Sequence, residues 1–234
     1  SMYAKENSTI TAIAGSAAIA ASFAPEVGVS LAVGVAVAES DIRNKVQSYI
    51  SSAARVITLS GGIVLDADET ATITTTSAAA SAATAAAPVG IAISGGITTA
   101  KNTISNTVEA YISNATNLSS ALGVSVEAKD TSTISAELLS ASLAVAPIGV
   151  AVGLALTENS IFNNVSAYIN GSSVTANAGN ISVTALFEPG ITTRGRVAAI
   201  SASLGIAGAG AESKTLVGGN TQVFVIASTL SAPN

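Results

Sequence analysis

Hydrophobic and polar positions alternate with a period of two along most of this chain. Val29, Leu31, Val33, Val35 and Val37 alternate with Ser30, Ala32, Gly34, Ala36 and Ala38. Val150, Val152, Leu154 and Leu156 alternate with Ala151, Gly153 and Ala155. Ile181, Val183 and Ala185 alternate with Ser182 and Thr184. Strict alternation marks a β-strand, whose successive side chains point to opposite faces. Pro25-Glu26-Val27-Gly28, Pro88-Val89-Gly90 and Pro147-Ile148-Gly149 join the first two runs of the first three units, and Gly61-Gly62 or Ala178-Gly179-Asn180 precedes the last. Such residues are turn punctuation. In the first two runs both faces are apolar or tiny, which predicts strands covered on both sides. Ala, Gly and Ser on one face let a second sheet approach closely, so the predicted core is thin and held by many weak contacts.

The strand pattern recurs along the chain. The block Ile-x-Asn-x-Val-x-x-Tyr-Ile begins at Ile42, Ile104 and Ile161. Its asparagines, Asn44, Asn106 and Asn163, are 62 and 57 residues apart. A further 57 residues lead to Asn220, with Val225-Ile226 in place of Tyr-Ile. Pro25, Pro88 and Pro147 keep step with the block, and so do Ile10, Ile73 and Ile134. The units run 5–67, 68–128, 129–185 and, partial, 186–234, with residues 1–4 read as a tag scar and linker. Units of small residues cannot bury a core alone, and stacking lets each cover its neighbour. The expected fold is all-β, a repetitive β-solenoid-like stack of about four units of 57–63 residues, cut from a longer array. The alternative is an α/β repeat array. Ile161, Val165, Tyr168 and Ile169 also fall on one helical stripe, and the alanine-rich stretch 77–87 has helical propensity.

Stacked strands bring equivalent residues into columns about 4.8 Å apart. Asn44, Asn106, Asn163 and Asn220 then form an amide ladder. Five residues before each stand Glu39, Lys101, Glu158 and Thr215, of alternating sign in the first three. Glu6, Glu69 and Asp130 each precede the Ile of their unit by four residues, with Glu188 near the equivalent place. With Asp66 and Asp68 these offer oxygen ligands for calcium; the competing reading is a solvated corner, with Lys5 and Lys129 supplying counter-charge. Tyr49, Tyr111 and Tyr168 form the candidate ligand-binding column, an aromatic stripe able to stack on sugar rings or a partner. Its competing reading is a set of rings shielding small neighbours. Arg194 and Arg196 read as a solvated patch.

Composition narrows the chemistry. The chain has no Cys and no His, which removes Ser-His and Cys-His nucleophiles, Cys/His zinc sites and disulfides. Apolar residues make up 49% and charged residues 10%, unlike a disordered chain. A net charge of −5 argues against nucleic acid. The longest apolar run, 141–156, is too short for a membrane helix and is broken by Pro147 and two glycines. Four Tyr and four Phe, scattered, make no aromatic girdles for a barrel. No membrane span and no cofactor are expected. Asp66, Asp68, Glu69, Lys129 and Asp130 are the carboxylates and lysine available for glycan cleavage, but the repeats carry no cleft-forming insertion. No catalysis is expected.

The phrases Val-Ser-Ala-Tyr-Ile-Asn-Gly-Ser-Ser-Val-Thr-Ala at 165–176 and Gly-Asn-Ile-Ser-Val-Thr-Ala at 179–185 resemble the repeats of very large bacterial surface proteins. These are the filamentous-haemagglutinin-like and leukotoxin-like filamentous adhesins. The resemblance covers essentially the whole chain, although the unit is longer than the coil of typical haemagglutinin repeats. It implies an exported β-solenoid stalk or adhesin, at the cell surface or outside a bacterial cell, and it carries over no functional residue. The expected function is a structural shaft segment. The alternatives are a carbohydrate-binding or carbohydrate-cleaving β-helix and a self-assembling filament subunit. Expected partners are the neighbouring repeats of the same chain, further copies of it, and surface glycans.

Overall fold

The computed structural model describes residues 1–233. It is all-β: no helix occurs among the described residues, and so none long and apolar enough to cross a membrane. The first tier holds β1 (Met2–Glu6), β2 (Thr9–Phe23), β3 (Val27–Ile42), β4 (Lys45–Ser51) and β5 (Val56–Ile57). The second holds β6 (Ile63–Glu69), β7 (Thr72–Ala86), β8 (Val89–Ile104), β9 (Thr107–Ser113) and β10 (Leu118–Ser120). The next holds β11 (Val124–Asp130), β12 (Thr133–Asn170) and β13 (Ser173–Ala176). The last holds β14 (Ile181–Phe187), β15 (Gly190–Ile226) and β16 (Thr229–Ser231). Every strand pairs in parallel with its equivalent in the adjacent tier. The Tyr-Ile blocks and the stretch 77–87 are therefore strands, and the helical alternative falls. β7 is hydrogen-bonded on both sides, to β2 and β12, and that pairing overrides the helical preference of its alanines. Residues 2–4, expected as linker, belong to β1 and pair with residues 65–67.

Each tier has two parts. The body is a narrow parallel winding whose core includes Leu65, Val108, Ile112, Val126, Val165 and Ile169. The arm explains why the unit is so long. β2, β7 and residues 133–145 of β12 run outward, and β3, β8 and residues 148–161 of β12 return facing them. The reversal falls at Pro25, Pro88 and Pro147, and within β12 it appears as a register shift between Val145 and Ile148. Ile42, Ile73, Ile104, Ile134 and Ile161 fill the neck between body and arm.

The arm is packed through its smallest side chains. One interior cluster is made of Ala32, Ala83, Ala85, Ala92, Ala144, Ala146 and Ala151. Ser81 and Ser94 meet across the layer at 2.7 Å, and Ser140 Oγ donates to the Gly96 carbonyl at 2.6 Å. This brings the facing backbones closer than the roughly 10 Å typical of packed sheets. The close packing follows the expectation for Ala, Gly and Ser faces. The expected cover on the other face does not occur. Val29, Leu31 and Val37 are 61%, 62% and 65% exposed, so the large aliphatic residues point outward and the small ones inward.

The tier length is not constant. Paired residues are 63 apart from β2 to β7 but 62 from β3 to β8. They are 61 apart from β7 to β12 but 57 from β8 to β12. From β12 to β15 the offset falls from 57 before the tip to 56 after it. Each of these changes occurs between the outgoing and returning strands, at the arm tip.

The interior tolerates no added volume. A Cβ on Gly96 would lie 2.7 Å from the Ala141 carbonyl oxygen, whereas one on Gly15 meets nothing within 4 Å. Gly96→Ala is expected to destabilise by about 1–3 kcal/mol through overpacking, and Gly15→Ala to shift stability by less than about 0.5 kcal/mol. Paired denaturant melts check this; equal effects would mean that the sheets are not closely opposed.

Candidate functional site

The Tyr-Ile strands place the tyrosines on the outer surface of the body. β4 turns Val46 and Ser48 inward and Lys45 and Tyr49 outward, and β9 and residues 164–170 of β12 repeat the pattern. Parallel pairing then sets Tyr49, Tyr111 and Tyr168 directly above one another. Their ring centroids are 5.0 and 4.8 Å apart, with planes within 6° and 1° of parallel. Phe224 continues the stack at 4.6 Å from Tyr168. The register places Phe224, and not Val225, beside Tyr168. Both faces of Tyr111 and Tyr168 are thus covered by neighbouring rings, leaving edges and hydroxyls open. Burial pushes both hydroxyl pKa values up. Beside the stack, Gln47 donates to Glu109, and Lys45 lies 3.8 Å from the same carboxylate.

The asparagine ladder lies inside, at the neck. The Asn44 backbone N–H donates to Asn106 Oδ1 at 2.9 Å, and the Asn106 N–H to Asn163 Oδ1 at 2.7 Å. Each side-chain oxygen thereby ties one tier to the tier before it. Asn220 does not join them; it pairs with Asn164, and Gly219 stands in register with Asn163. Gly219 has φ of +134°, and a Cβ there would collide with the Asn163 carbonyl oxygen. Backbone geometry therefore excludes an asparagine from that place.

The carboxylate column serves the ladder. Asn44 Nδ2 donates to Glu69 Oε1 at 3.1 Å and to Ser8 Oγ at 3.0 Å. Asn163 Nδ2 donates to Asp130 Oδ2 at 2.9 Å. Ser8 Oγ donates to Glu6, and the Ser132 N–H donates to Asp130. Phe187, not Glu188, occupies the corresponding place in the last tier. Among the described residues no group of three or more acidic side chains is placed to bind a metal ion. Asp68 is instead paired with Lys5 at 2.9 Å. Arg194 and Arg196 are exposed.

Glu69 is fully buried, and burial pushes its pKa up to about 7. Its hydrogen bond from Asn44 opposes the rise, while the charges of Asp130, Glu6 and Asp68 add to it. Glu69 Oε2 has no hydrogen-bond partner.

Two further features escaped the sequence reading. A second buried polar chain crosses the arm. Thr75 Oγ1 donates to Asn102 Oδ1 at 2.6 Å, Asn102 Nδ2 to Asn159 Oδ1 at 2.8 Å, and Asn159 Nδ2 to Thr193 Oγ1 at 2.7 Å. Its signal was an Asn two residues before Ile104 and Ile161, the spacing that shares the inward face. The charged column also runs further than expected. Lys214, not Thr215, pairs with Glu158 in register, so the order is Glu39, Lys101, Glu158, Lys214. Lys101 is 3.9 Å from Glu39 and Lys214 is 2.8 Å from Glu158. These residues, with Val37, Leu156 and Glu212, line an open groove of about 430 Å³.

The Glu69 environment sets a pH dependence. Its folded pKa of about 7 lies above the usual 4.5, so between these values the folded chain holds a proton that the unfolded chain has lost. The associated stability is fully present below pH 4.5 and is lost as pH rises through 7. Glu69→Gln, which keeps an acceptor for Asn44, is expected to remove this slope. It should raise stability above pH 7 by roughly 2–3 kcal/mol relative to the unsubstituted chain. Chemical denaturation at pH 4 and pH 8 reads the difference, and parallel slopes in the two proteins would refute it. In comparisons with protein-family models, curated proteins and solved structures, nothing matches this chain.

Proposed function

We propose that this chain is a structural segment of an exported bacterial surface fibre or adhesin, a shaft built from about four repeat units that holds other parts of the fibre apart. The observation that carries the reading is the continuous parallel register, in which like residues stack on like from tier to tier. The aromatic stack, the asparagine ladder and the Glu/Lys column all run along the same direction. Load along that direction is shared by many strand-to-strand hydrogen bonds and by side-chain columns that span the tiers. The arrangement of the titratable groups favours this use over catalysis. Asp130 accepts from Asn163 and Ser132, and Asp68 is held by Lys5. A carbohydrate-binding role draws less support, because the middle rings of the tyrosine column have no free face.

Single-molecule stretching from the two ends tests the shaft reading. Tiers offset by 56–63 residues should peel off one at a time. Each released tier adds about 200 Å of contour length at roughly 3.5 Å per residue. Saturable, tyrosine-dependent binding on a glycan array, or depolymerisation of an anionic polysaccharide, would replace the shaft reading with the carbohydrate one.

A further inference from the structure

The outer face of the returning sheet of the arm is a broad aliphatic surface in open solvent. It is made by four strands in register: β3, β8, residues 148–158 of β12 and residues 204–214 of β15. Leu31 on the first of these is 62% exposed and Ile206 on the last is 72% exposed. Contiguous apolar surface on this scale marks an interaction site. The apolar part spans eleven residues of β3, Val27 to Val37, or about 35 Å by four strands of about 4.8 Å spacing. That is about 700 Å² per copy and about 1,400 Å² for a pair, within the range of stable protein interfaces.

Two columns on this face are patterned in a way that selects the occupant. One reads Val33, Gly95, Val152, Gly208, so bulk and dent alternate from tier to tier. A Cβ on Gly208 would meet nothing within 4 Å, so the dent is open. The other reads Glu39, Lys101, Glu158, Lys214, so sign alternates in the same rhythm. Both sequences become their own complements when the tier order is reversed. We propose that this face pairs with the same face of a second copy of the chain, about a two-fold axis parallel to the strands.

That operation leaves each column opposite itself and inverts the order of the tiers. Val33 then faces Gly208 of the other copy, and Val152 faces Gly95. Glu39 faces Lys214, and Lys101 faces Glu158. Strand directions stay aligned, as in the common packing of two sheets. A two-fold axis along the stack would instead set the charged column against the tip end of the face, which carries Glu26 but no column of alternating charge. The single acid on the apolar part, Glu212, lies on the outermost strand beside Lys214, at the rim. A lipid surface would make no use of either alternating pattern. The pairing is lateral, and it rests on this face alone and not on the shaft reading.

Sedimentation velocity on the full chain, up to about 100 µM, tests the pairing. The expected result is a discrete dimer, not open-ended growth. Val33→Asp places a charge midway along β3, an outer strand of the face, where it would enter the Gly208 dent of the other copy, and is expected to weaken dimerisation by at least about tenfold. Circular dichroism should be unchanged. A charge exchange adds an independent test. Lys101→Glu with Lys214→Glu makes the column wholly acidic, and Glu39→Lys with Glu158→Lys makes it wholly basic. Each double variant alone should be monomeric, and an equimolar mixture should restore the dimer. A monomer throughout, a dimer unaffected by Val33→Asp, or a monomer that instead binds phosphatidylcholine vesicles in a Val33-dependent manner would each overturn the proposal.

Discussion

Parallel pairing between tiers is the constraint on which the rest of the structure depends. It fixes strand spacing near 4.8 Å and sets each residue beside its equivalent one tier away. The same spacing suits stacked aromatic rings, as the 4.6–5.0 Å centroid distances show. It also suits side-chain amides reaching the next backbone N–H, as at Asn44, Asn106 and Asn163. Charges set beside like charges would repel, and the Glu39, Lys101, Glu158, Lys214 order avoids that. The Glu6, Glu69, Asp130 column is the exception: three acids stand in register there, and amide donors and the raised pKa of Glu69 accommodate them.

The neck concentrates the polar interactions. Here the winding of the body opens into the arm, and the isoleucines of adjacent tiers pack beside buried amides and carboxylates. A buried carboxylate is costly unless it is hydrogen-bonded or neutral. Asp130 takes the first course, with bonds from Asn163 and Ser132. Glu69 accepts only from Asn44, and its raised pKa is the response. The two acids occupy equivalent places one tier apart but have different hydrogen-bond partners.

The strands were legible because alternation at residues 27–37 and 148–156 is nearly unbroken, and the repeat was legible because Ile-x-Asn-x-Val-x-x-Tyr-Ile returns intact. Periodicity shows which residues share a face, but not which face is turned inward. In the arm the usual preference is inverted, because two backbones can approach closely only through Ala, Gly and Ser. The valines of β3 are left outside for that reason, and the alternating pattern alone could not reveal it. Register was legible only while the tier length held. One residue lost at the last arm tip moved Asn220 off the ladder and brought Phe224 and Lys214 onto their columns. The tyrosine, asparagine and carboxylate candidates are gathered into columns, and at the first tier Glu6 and Asn44 also line an open cleft of about 440 Å³.

The arm tip absorbs changes in tier length of one, four and one residue while the strands on either side keep their pairing. Length is thus decoupled from register at the tip, where the largest change falls; the turns around β5, β10 and β13 in the body absorb single-residue changes as well. The tip is far from the neck and exposed at Pro88 and Val89. A foreign peptide spliced there would ride outward on a stiff double layer, as a passenger that the winding below has no means of sensing. A lineage built this way can vary its outermost sequence freely while inheriting its architecture unchanged.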